Sequence, residues 1–128
     1  MLINIKRENI VNAEEHYILH QVNCKGKMGS GVALAIRNKW DDVYLEYIEF
    51  LLKNPIPLGR TQHVYVDNHI ILNLFGQDNY GYDSKRYTNY EAMYTGLCEA
   101  RDLILALPGS PQTLAMPFKI GCVRGGAE

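Results

Sequence analysis

The stretch Ile18–Ala35 is ILHQVNCKGKMGSGVALA, an apolar segment followed by a glycine-rich stretch with two lysines and then by a second apolar segment. This order predicts a β-strand, a loop and an α-helix. Gly26, Gly29 and Gly31 let the backbone approach a ligand closely and adopt positive φ angles, so that successive N–H groups can point at one anion. The helix that follows adds the partial positive charge of its N-terminus. The stretch therefore predicts a phosphate site, although its spacing is neither that of a P-loop nor that of a dinucleotide-binding fold.

The whole chain has 128 residues, the size of one domain with a substantial core, and we expect residues 1–128 to form a single domain. Its net charge of −1 argues against a protein that binds nucleic acid through overall positive charge, and 47% hydrophobic residues argue against disorder. There is no apolar run of membrane-helix length and no signal-peptide pattern at the N-terminus. Three cysteines without paired spacing are typical of a reducing compartment, so we expect a cytoplasmic protein without a membrane partner.

The pattern along the chain predicts strands that alternate with helices. Strands are predicted at Leu2–Lys6, Tyr17–Val22, Thr61–Val66, His69–Phe75 and Thr113–Pro117, and helices at Val32–Trp40, Asp41–Lys53 and from the capping-box signature Thr88–Glu91 to about Leu107. The apolar face of the last helix is expected to consist of Tyr90, Met93, Tyr94, Leu97 and Ile104. This order of elements predicts an α/β sandwich with a mixed central sheet.

Basic residues concentrate in three predicted loops that follow core strands, at 23–31, 76–86 and 118–126. Six of the 13 basic residues lie there, namely Lys25, Lys27, Lys85, Arg86, Lys119 and Arg124, whereas only two of the 14 acidic residues do, Asp78 and Asp83. If the loops meet at the carboxyl edge of the sheet, where ligands of open α/β sheets usually bind, they form an electropositive crevice. The alternative is that loops simply carry the charged residues of a surface.

Two segments resemble the ligand-binding loops of macrodomains, a family that binds ADP-ribose. The first is His20-x-x-Asn23-x-x-Gly26-x-x-Gly29-Ser30-Gly31-Val32-Ala33, and the second is the segment 116–126, MPFKIGCVRGG. The pattern is most similar to the small single-domain branch that includes the yeast ADP-ribose 1″-phosphate phosphatase and phage or bacterial relatives. The resemblance covers nearly the whole chain and implies a three-layer α/β/α sandwich.

The resemblance also implies roles for individual residues. Asn23 matches the asparagine near the distal ribose, and residues 29–32 match the loop against the diphosphate. The ligand-binding residues that it implies are Asn9, Ile10, Asn23, Gly29, Ser30, Gly31, Val32, Phe75, Gln77, Lys119, Ile120, Gly121, Cys122, Val123 and Arg124. Two alternatives stay open, that Asn23 caps a turn and that Phe75 belongs to the core.

Three features depart from the family's pattern. Glu8-Asn9 stands where many macrodomains have Gly-Asp, and an asparagine oxygen can accept from the adenine amino group without charge assistance. Gly76 and Gly125 stand nearest to the lysine–aspartate pair of one deacylating branch, so its covalent mechanism is not expected. The chain also stops at Glu128, before a helix that family members usually have, so the expected sandwich lacks its C-terminal helix or the chain is truncated.

Four residues are candidates for catalysis, His20, Asn23, Asp78 and Asp83. The yeast phosphatase also has a histidine at the position of His20, and an imidazole near the distal ribose could transfer a proton at neutral pH. The alternative is a packed strand histidine bonded to a backbone carbonyl. Asp78 and Asp83 are the loop carboxylates available as a base, with simple solvation as their alternative.

The sequence thus predicts a protein that binds ADP-ribose and hydrolyses the terminal phosphate of ADP-ribose 1″-phosphate, with no cofactor and no metal. The first alternative is a hydrolase that removes ADP-ribose from protein or nucleic acid, in which case ADP-ribosylated macromolecules are its partners. The second alternative is a binding module without turnover.

Overall fold

A computed structural model describes Ile5, residues 7–79, 88–106 and 113–117, and Ile120. Its regular elements, in chain order, are a 3-10 helix (Ile10–Asn12), β1 (Tyr17–Asn23), α1 (Gly31–Lys39), α2 (Asp41–Lys53), β2 (Thr61–Val66), β3 (His69–Gln77), α3 (Tyr90–Ala106) and β4 (Leu114–Ala115). None of these helices combines the length and the apolar character that crossing a bilayer requires.

The described strands form one mixed sheet in the order β2-β3-β1-β4. β1 pairs with β3 and with β4 in parallel, whereas β2 and β3 form an antiparallel hairpin. Asp67 makes the hairpin turn with a φ angle of 46°, in the left-handed region that Asp tolerates better than most residues. The expected mixed sheet is confirmed.

Helices cover both faces of this sheet. Ile18 and Val22 of β1 pack with residues of α1 and α2, among them Ile36 and Tyr47, in one buried cluster. Leu19, whose side chain points to the opposite face, belongs to a second cluster on the side of α3. This division follows from the alternation of side chains along a strand, and it produces the three layers that the sequence predicts.

The face of α3 that meets the sheet differs from the expected one. Its buried residues are the small ones, Ala92, Gly96 and Ala100, whereas Tyr94 is 72% exposed and Leu97 is 39% exposed. Small side chains let the helix backbone lie close to β3, where larger ones would hold it away. The assignment of Tyr90, Tyr94 and Leu97 to the buried face was therefore wrong, whereas Met93 and Ile104 do pack against the cluster on that side.

Some element ends also differ from the prediction. Asn89, not Thr88, caps α3, because its Oδ1 accepts a hydrogen bond from the Ala92 N–H at 2.9 Å. Thr88 instead forms an isolated β-bridge with Gln77, the last residue of β3, which also pairs with Asn23 of β1. β4 comprises two residues within the predicted Thr113–Pro117. The strand predicted at Leu2–Lys6 falls almost entirely outside the described residues.

Candidate functional site

The carboxyl ends of β1, β3 and β4 lie at one edge of the sheet, because β1 runs parallel to both of its neighbours. β1 ends at Asn23, β3 at Gln77 and β4 at Ala115. The residues after β1 form the glycine loop, 24–30, which leads directly into α1. The convergence expected from the sequence is thus found for the described strand ends, and this edge is the candidate site.

Asn23 organises the turn that opens the glycine loop. Its Oδ1 accepts hydrogen bonds from the N–H groups of Lys25, at 2.9 Å, and Lys27, at 3.3 Å, and its Nδ2 donates to the Lys27 carbonyl at 2.8 Å. Only 7% of the residue is exposed. The structure therefore places Asn23 in the turn-capping position that was one of its two expected roles.

Two tyrosines of α2 form hydrogen bonds with the glycine loop and the end of β1. The Tyr47 hydroxyl lies 2.7 Å from the Asn23 carbonyl oxygen and 2.9 Å from Asn23 Oδ1, and it accepts a hydrogen bond from the Gly26 N–H at 3.1 Å. The Tyr44 hydroxyl donates to the Gly26 carbonyl at 3.1 Å. Burial raises the pKa of Tyr47, so its hydroxyl keeps its proton at neutral pH.

The far end of the glycine loop is open. A Cβ atom at Gly29 or Gly31 would meet nothing within 4 Å, and Gly31 has a φ angle of +60°, which favours glycine. The Ser30 side chain makes no capping hydrogen bond, and the first hydrogen bond of α1 is donated by Leu34 N–H to the Ser30 carbonyl at 3.2 Å. The N–H groups that precede Leu34 in the first turn of α1 therefore receive no capping hydrogen bond from the Ser30 side chain. A helix N-terminus with uncapped N–H groups favours an anion.

Charged side chains lie along the first part of the glycine loop. Lys25 Nζ lies 3.5 Å from Asp78 Oδ2 in an exposed ion pair, and the Cys24 N–H donates to the Asp78 carbonyl at 3.1 Å. Lys27 is also exposed. Burial raises the pKa of the Cys24 thiol to about 11, so Cys24 is a packing group rather than a thiolate nucleophile at neutral pH.

His20 lies in the interior, with 1% of its surface exposed, and not in the opening. Its Nε2 is 2.6 Å from Asn73 Oδ1, Asn73 Nδ2 donates to Gln62 Oε1 at 3.0 Å, and Gln62 Nε2 donates to the Glu46 carbonyl at 2.9 Å. These three side chains form a buried polar row across β1, β3 and β2. Because Asn73 offers its oxygen, we assign the proton of His20 to Nε2, and Nδ1 then has no hydrogen-bond partner among the described residues.

The burial of His20 changes its chemistry. Desolvation disfavours the imidazolium ion and lowers the pKa of His20 to about 4, against a smaller opposing effect of the Asn73 hydrogen bond. The alternative of a packed strand histidine is the arrangement found here, with a side-chain amide in place of the expected backbone carbonyl.

Phe75 belongs to the core. It is fully buried and stacks between Phe50, at 5.2 Å between ring centroids, and Tyr47, at 5.7 Å. Of the two interpretations left open for Phe75, the structure shows the core position. At the other end of the described chain, Asn9 caps the 3-10 helix through the Val11 N–H at 3.2 Å, and Ile10 packs half-buried against the core.

Gln77 takes part in a small amide cluster at the carboxyl end of β3. Its Oε1 accepts from Gln21 Nε2, its Nε2 donates to the Asn79 carbonyl at 2.7 Å, and Gln21 Nε2 also donates to Thr88 Oγ1 at 3.1 Å. A Cβ atom at Gly76 would overlap the Met93 sulfur and come within 2.8 Å of Gln21 Oε1. Position 76 of β3 therefore has no room for a side chain.

Several predicted site residues lie outside the described residues, namely Asp83, Lys119, Gly121, Cys122, Val123 and Arg124. Ile120 is described and packs its side chain against the cluster on the α3 side. Among the described residues, no group of histidine, cysteine, aspartate or glutamate side chains is arranged to hold a metal ion.

Sequence reasoning placed Tyr47 within the predicted helix Asp41–Lys53 but missed its role in the glycine loop. A tyrosine at a buried helix position usually finds a hydrogen-bond partner for its hydroxyl, and that rule could have pointed to a polar neighbour. It could not have identified the partner as the loop that follows β1, because the two are 24 residues apart.

No protein-family model matches the chain, and no curated protein matches it significantly. Solved structures do. A protein of unknown function from Bacteroides thetaiotaomicron is 25% identical, with a TM-score of 0.82 over 96% of this chain and 80% of that one. The macrodomain of Mycobacterium tuberculosis DarG is 20% identical, with a TM-score of 0.83 over 99% of this chain and 82% of that one. Thermosipho africanus DarTG, solved in complex with ADP-ribose, is 17% identical, with a TM-score of 0.70 over 94% of this chain and 33% of that one.

Proposed function

Because the chain has the macrodomain fold, we propose that it binds ADP-ribose, with the diphosphate at the open end of the glycine loop. The observation that carries the proposal is the uncapped N-terminus of α1 beside Gly29 and Gly31, at the carboxyl edge of the sheet. That a protein of the same fold was solved with ADP-ribose supports the choice of ligand.

The chemistry of the opening suits a diphosphate. N–H groups at a helix N-terminus favour a negative charge by position alone, without the need to desolvate a cationic side chain. Lys25 and Lys27 add attraction from the rim, where exposed charges contribute little individually. From the resemblance to macrodomains we expect Ile120–Arg124 to form the second phosphate loop, of which residues 121–124 lie outside the described residues.

For the reaction, we propose hydrolysis of the 1″-phosphate ester of ADP-ribose 1″-phosphate, with Asp78 as the general base. Its carboxylate is exposed and borders the glycine loop, whereas buried His20 has no access to the opening. Asp78 would take a proton from water as the water oxygen bonds to phosphorus, and the bond between phosphorus and the ribose 1″ oxygen would break. The 1″ oxygen would leave with the electron pair of that bond and take up a proton from solvent, which gives inorganic phosphate and ADP-ribose. In this scheme His20 supports the strand rather than transferring a proton.

Binding is tested at Gly29, because a side chain there meets open space in the protein and its φ angle is not in the left-handed region. We expect Gly29→Leu to fold normally and to weaken ADP-ribose binding at least about tenfold, since the leucine would occupy the space of the diphosphate. Lys25→Ala, which removes one exposed charge, should cost about threefold. Isothermal titration calorimetry gives both dissociation constants. Equal affinity of Gly29→Leu and the parent protein would place the ligand elsewhere.

Turnover is tested at Asp78. Asp78→Asn preserves the shape of the side chain but cannot accept a proton, so we expect kcat for ADP-ribose 1″-phosphate to fall about 10²-fold or more, with the dissociation constant for ADP-ribose nearly unchanged. Released phosphate is the readout. An Asn variant as active as the parent would exclude Asp78 as the base. A parent protein that instead releases ADP-ribose from a modified protein would favour the alternative hydrolase, and one inactive on both would be a binding module.

A further inference from the structure

We propose that Tyr47 is a positioning residue that sets the shape of the glycine loop for its ligand. The inference rests on the proposed function, because it concerns the same loop, but its evidence is a set of contacts below the loop and not at the opening. Tyr47 itself is fully buried, and its hydroxyl forms hydrogen bonds with Asn23 and Gly26, before the open end of the loop.

The ring of Tyr47 lies within the hydrophobic core. Tyr47 stacks on Phe75 at 5.7 Å with an interplanar angle of 22°, inside the cluster between the sheet and α2. A buried aromatic ring in a packed core has little rotational freedom. Its hydroxyl is therefore held at a fixed position, from which it forms hydrogen bonds with the backbone of the loop.

The Tyr47 hydroxyl forms hydrogen bonds with two residues, Asn23 and Gly26. Its single proton is donated to Asn23, whose carbonyl oxygen lies at 2.7 Å and whose Oδ1 lies at 2.9 Å, and its oxygen accepts from the Gly26 N–H at 3.1 Å. Asn23 Oδ1 in turn receives the N–H groups of Lys25 and Lys27. One phenol oxygen thus ties the last residue of β1, the capping side chain and the first glycine of the loop together.

Gly26 is hydrogen-bonded to α2 through both its N–H group and its carbonyl group. Its N–H donates to Tyr47 and its carbonyl accepts from Tyr44, one turn earlier on α2, while its φ angle of +78° turns the chain. Gly29 follows within the same loop, and Gly31 is the first residue of α1. A loop held in place before the ligand arrives loses little conformational entropy on binding, which favours affinity.

The test is Tyr47→Phe, which keeps the ring and its stacking but removes the hydroxyl. We expect the dissociation constant for ADP-ribose to rise about tenfold, and hydrogen exchange at the Gly26 and Lys27 amides to accelerate at least tenfold, with exchange at Leu72 in β3 changed much less. Tyr44→Phe, which removes only the partner of the Gly26 carbonyl, should move both quantities in the same direction by a smaller factor. Tyr65→Phe, at an exposed tyrosine of β2, is the matched control and should change neither.

The outcomes separate this inference from the proposed function. If the parent protein does not bind ADP-ribose, the proposed function fails. Unchanged hydrogen exchange at the Gly26 amide in Tyr47→Phe would separately overturn the inference that Tyr47 holds the loop in place. If the parent binds, a Tyr47→Phe affinity within twofold of it would overturn the positioning role, even with faster loop exchange. Uniformly faster exchange at Gly26 and Leu72 alike would show a general loss of stability and would also overturn it. If Tyr47→Phe does not fold, unchanged affinity and exchange in Tyr44→Phe decide against the proposal.

Discussion

The free energy of unfolding is expected to fall by about 3 kcal/mol between pH 7 and pH 4 on account of His20 alone. The folded protein holds this imidazole neutral, with a pKa of about 4, whereas an unfolded histidine has a pKa near 6.5. Below pH 6.5 the unfolded chain binds a proton that the folded chain does not. Stability is therefore full above about pH 6.5, declines as the pH falls toward 4, and is no longer affected by this residue below that.

The measurement is chemical denaturation at a series of pH values for the parent protein and His20→Gln. Glutamine can still bond to Asn73 but does not titrate, so the difference between the two curves isolates the contribution of the histidine from that of the carboxylates. His63→Gln, at an exposed histidine of β2, controls for the loss of a histidine as such. Parallel curves for the parent and His20→Gln would show that the imidazole titrates equally in the folded and unfolded chains.

Gly96→Val is expected to lower the free energy of unfolding by about 3 kcal/mol, the second large effect. A Cβ atom at Gly96 would lie 2.6 Å from Leu74 Cγ and 2.7 Å from its Cδ2, inside the fully buried interface of α3 with β3. The helix would have to move away from the sheet, which would also strain the hydrogen bond from Thr61 Oγ1 to the Gly96 carbonyl, 2.7 Å long here. The better helix propensity of valine returns only a few tenths of a kcal/mol.

The control for this substitution is Thr95→Val, which places the same side chain on the exposed face of the same helix. It should change stability by less than about 0.5 kcal/mol. Thermal and urea denaturation of both variants report the difference. If Gly96→Val were as stable as Thr95→Val, the packing of α3 on β3 would be looser than the structure has it.

The regular elements were largely predictable, because their signals are local. Apolar residues at helical spacing predicted α2 with its observed bounds, and the alternation of β2 together with the Asp67-Asn68 turn predicted the hairpin. The wrong face of α3 has a physical reason. A search for large apolar residues favours Tyr94 and Leu97, whereas the close approach of a helix to a sheet selects glycine and alanine, which carry little hydrophobic signal.

The candidate site was predictable in its location but not in its internal contacts. Glycines after an apolar strand indicated the loop, and parallel strands brought the loop ends together. The environment of His20 depends on Asn73, 53 residues away, so no local pattern could distinguish a buried histidine from one at the surface. Phe75 shows the same ambiguity, since an aromatic residue near a strand end suits a core as well as a ligand.

The topology of the sheet has a consequence for the order in which the chain folds. The β2–β3 hairpin closes through a two-residue turn, whereas β1 must find β3 across 53 residues, and the residue before β1 meets the residue before β4 across 97. Local contacts form early at little entropic cost, and distant parallel pairings form late. The glycine loop takes its shape from the end of β1 and from α2, so it follows those late pairings. We therefore expect a chain that has formed only its hairpin to have secondary structure but not the arrangement of the glycine loop, which needs β1 and α2 in place.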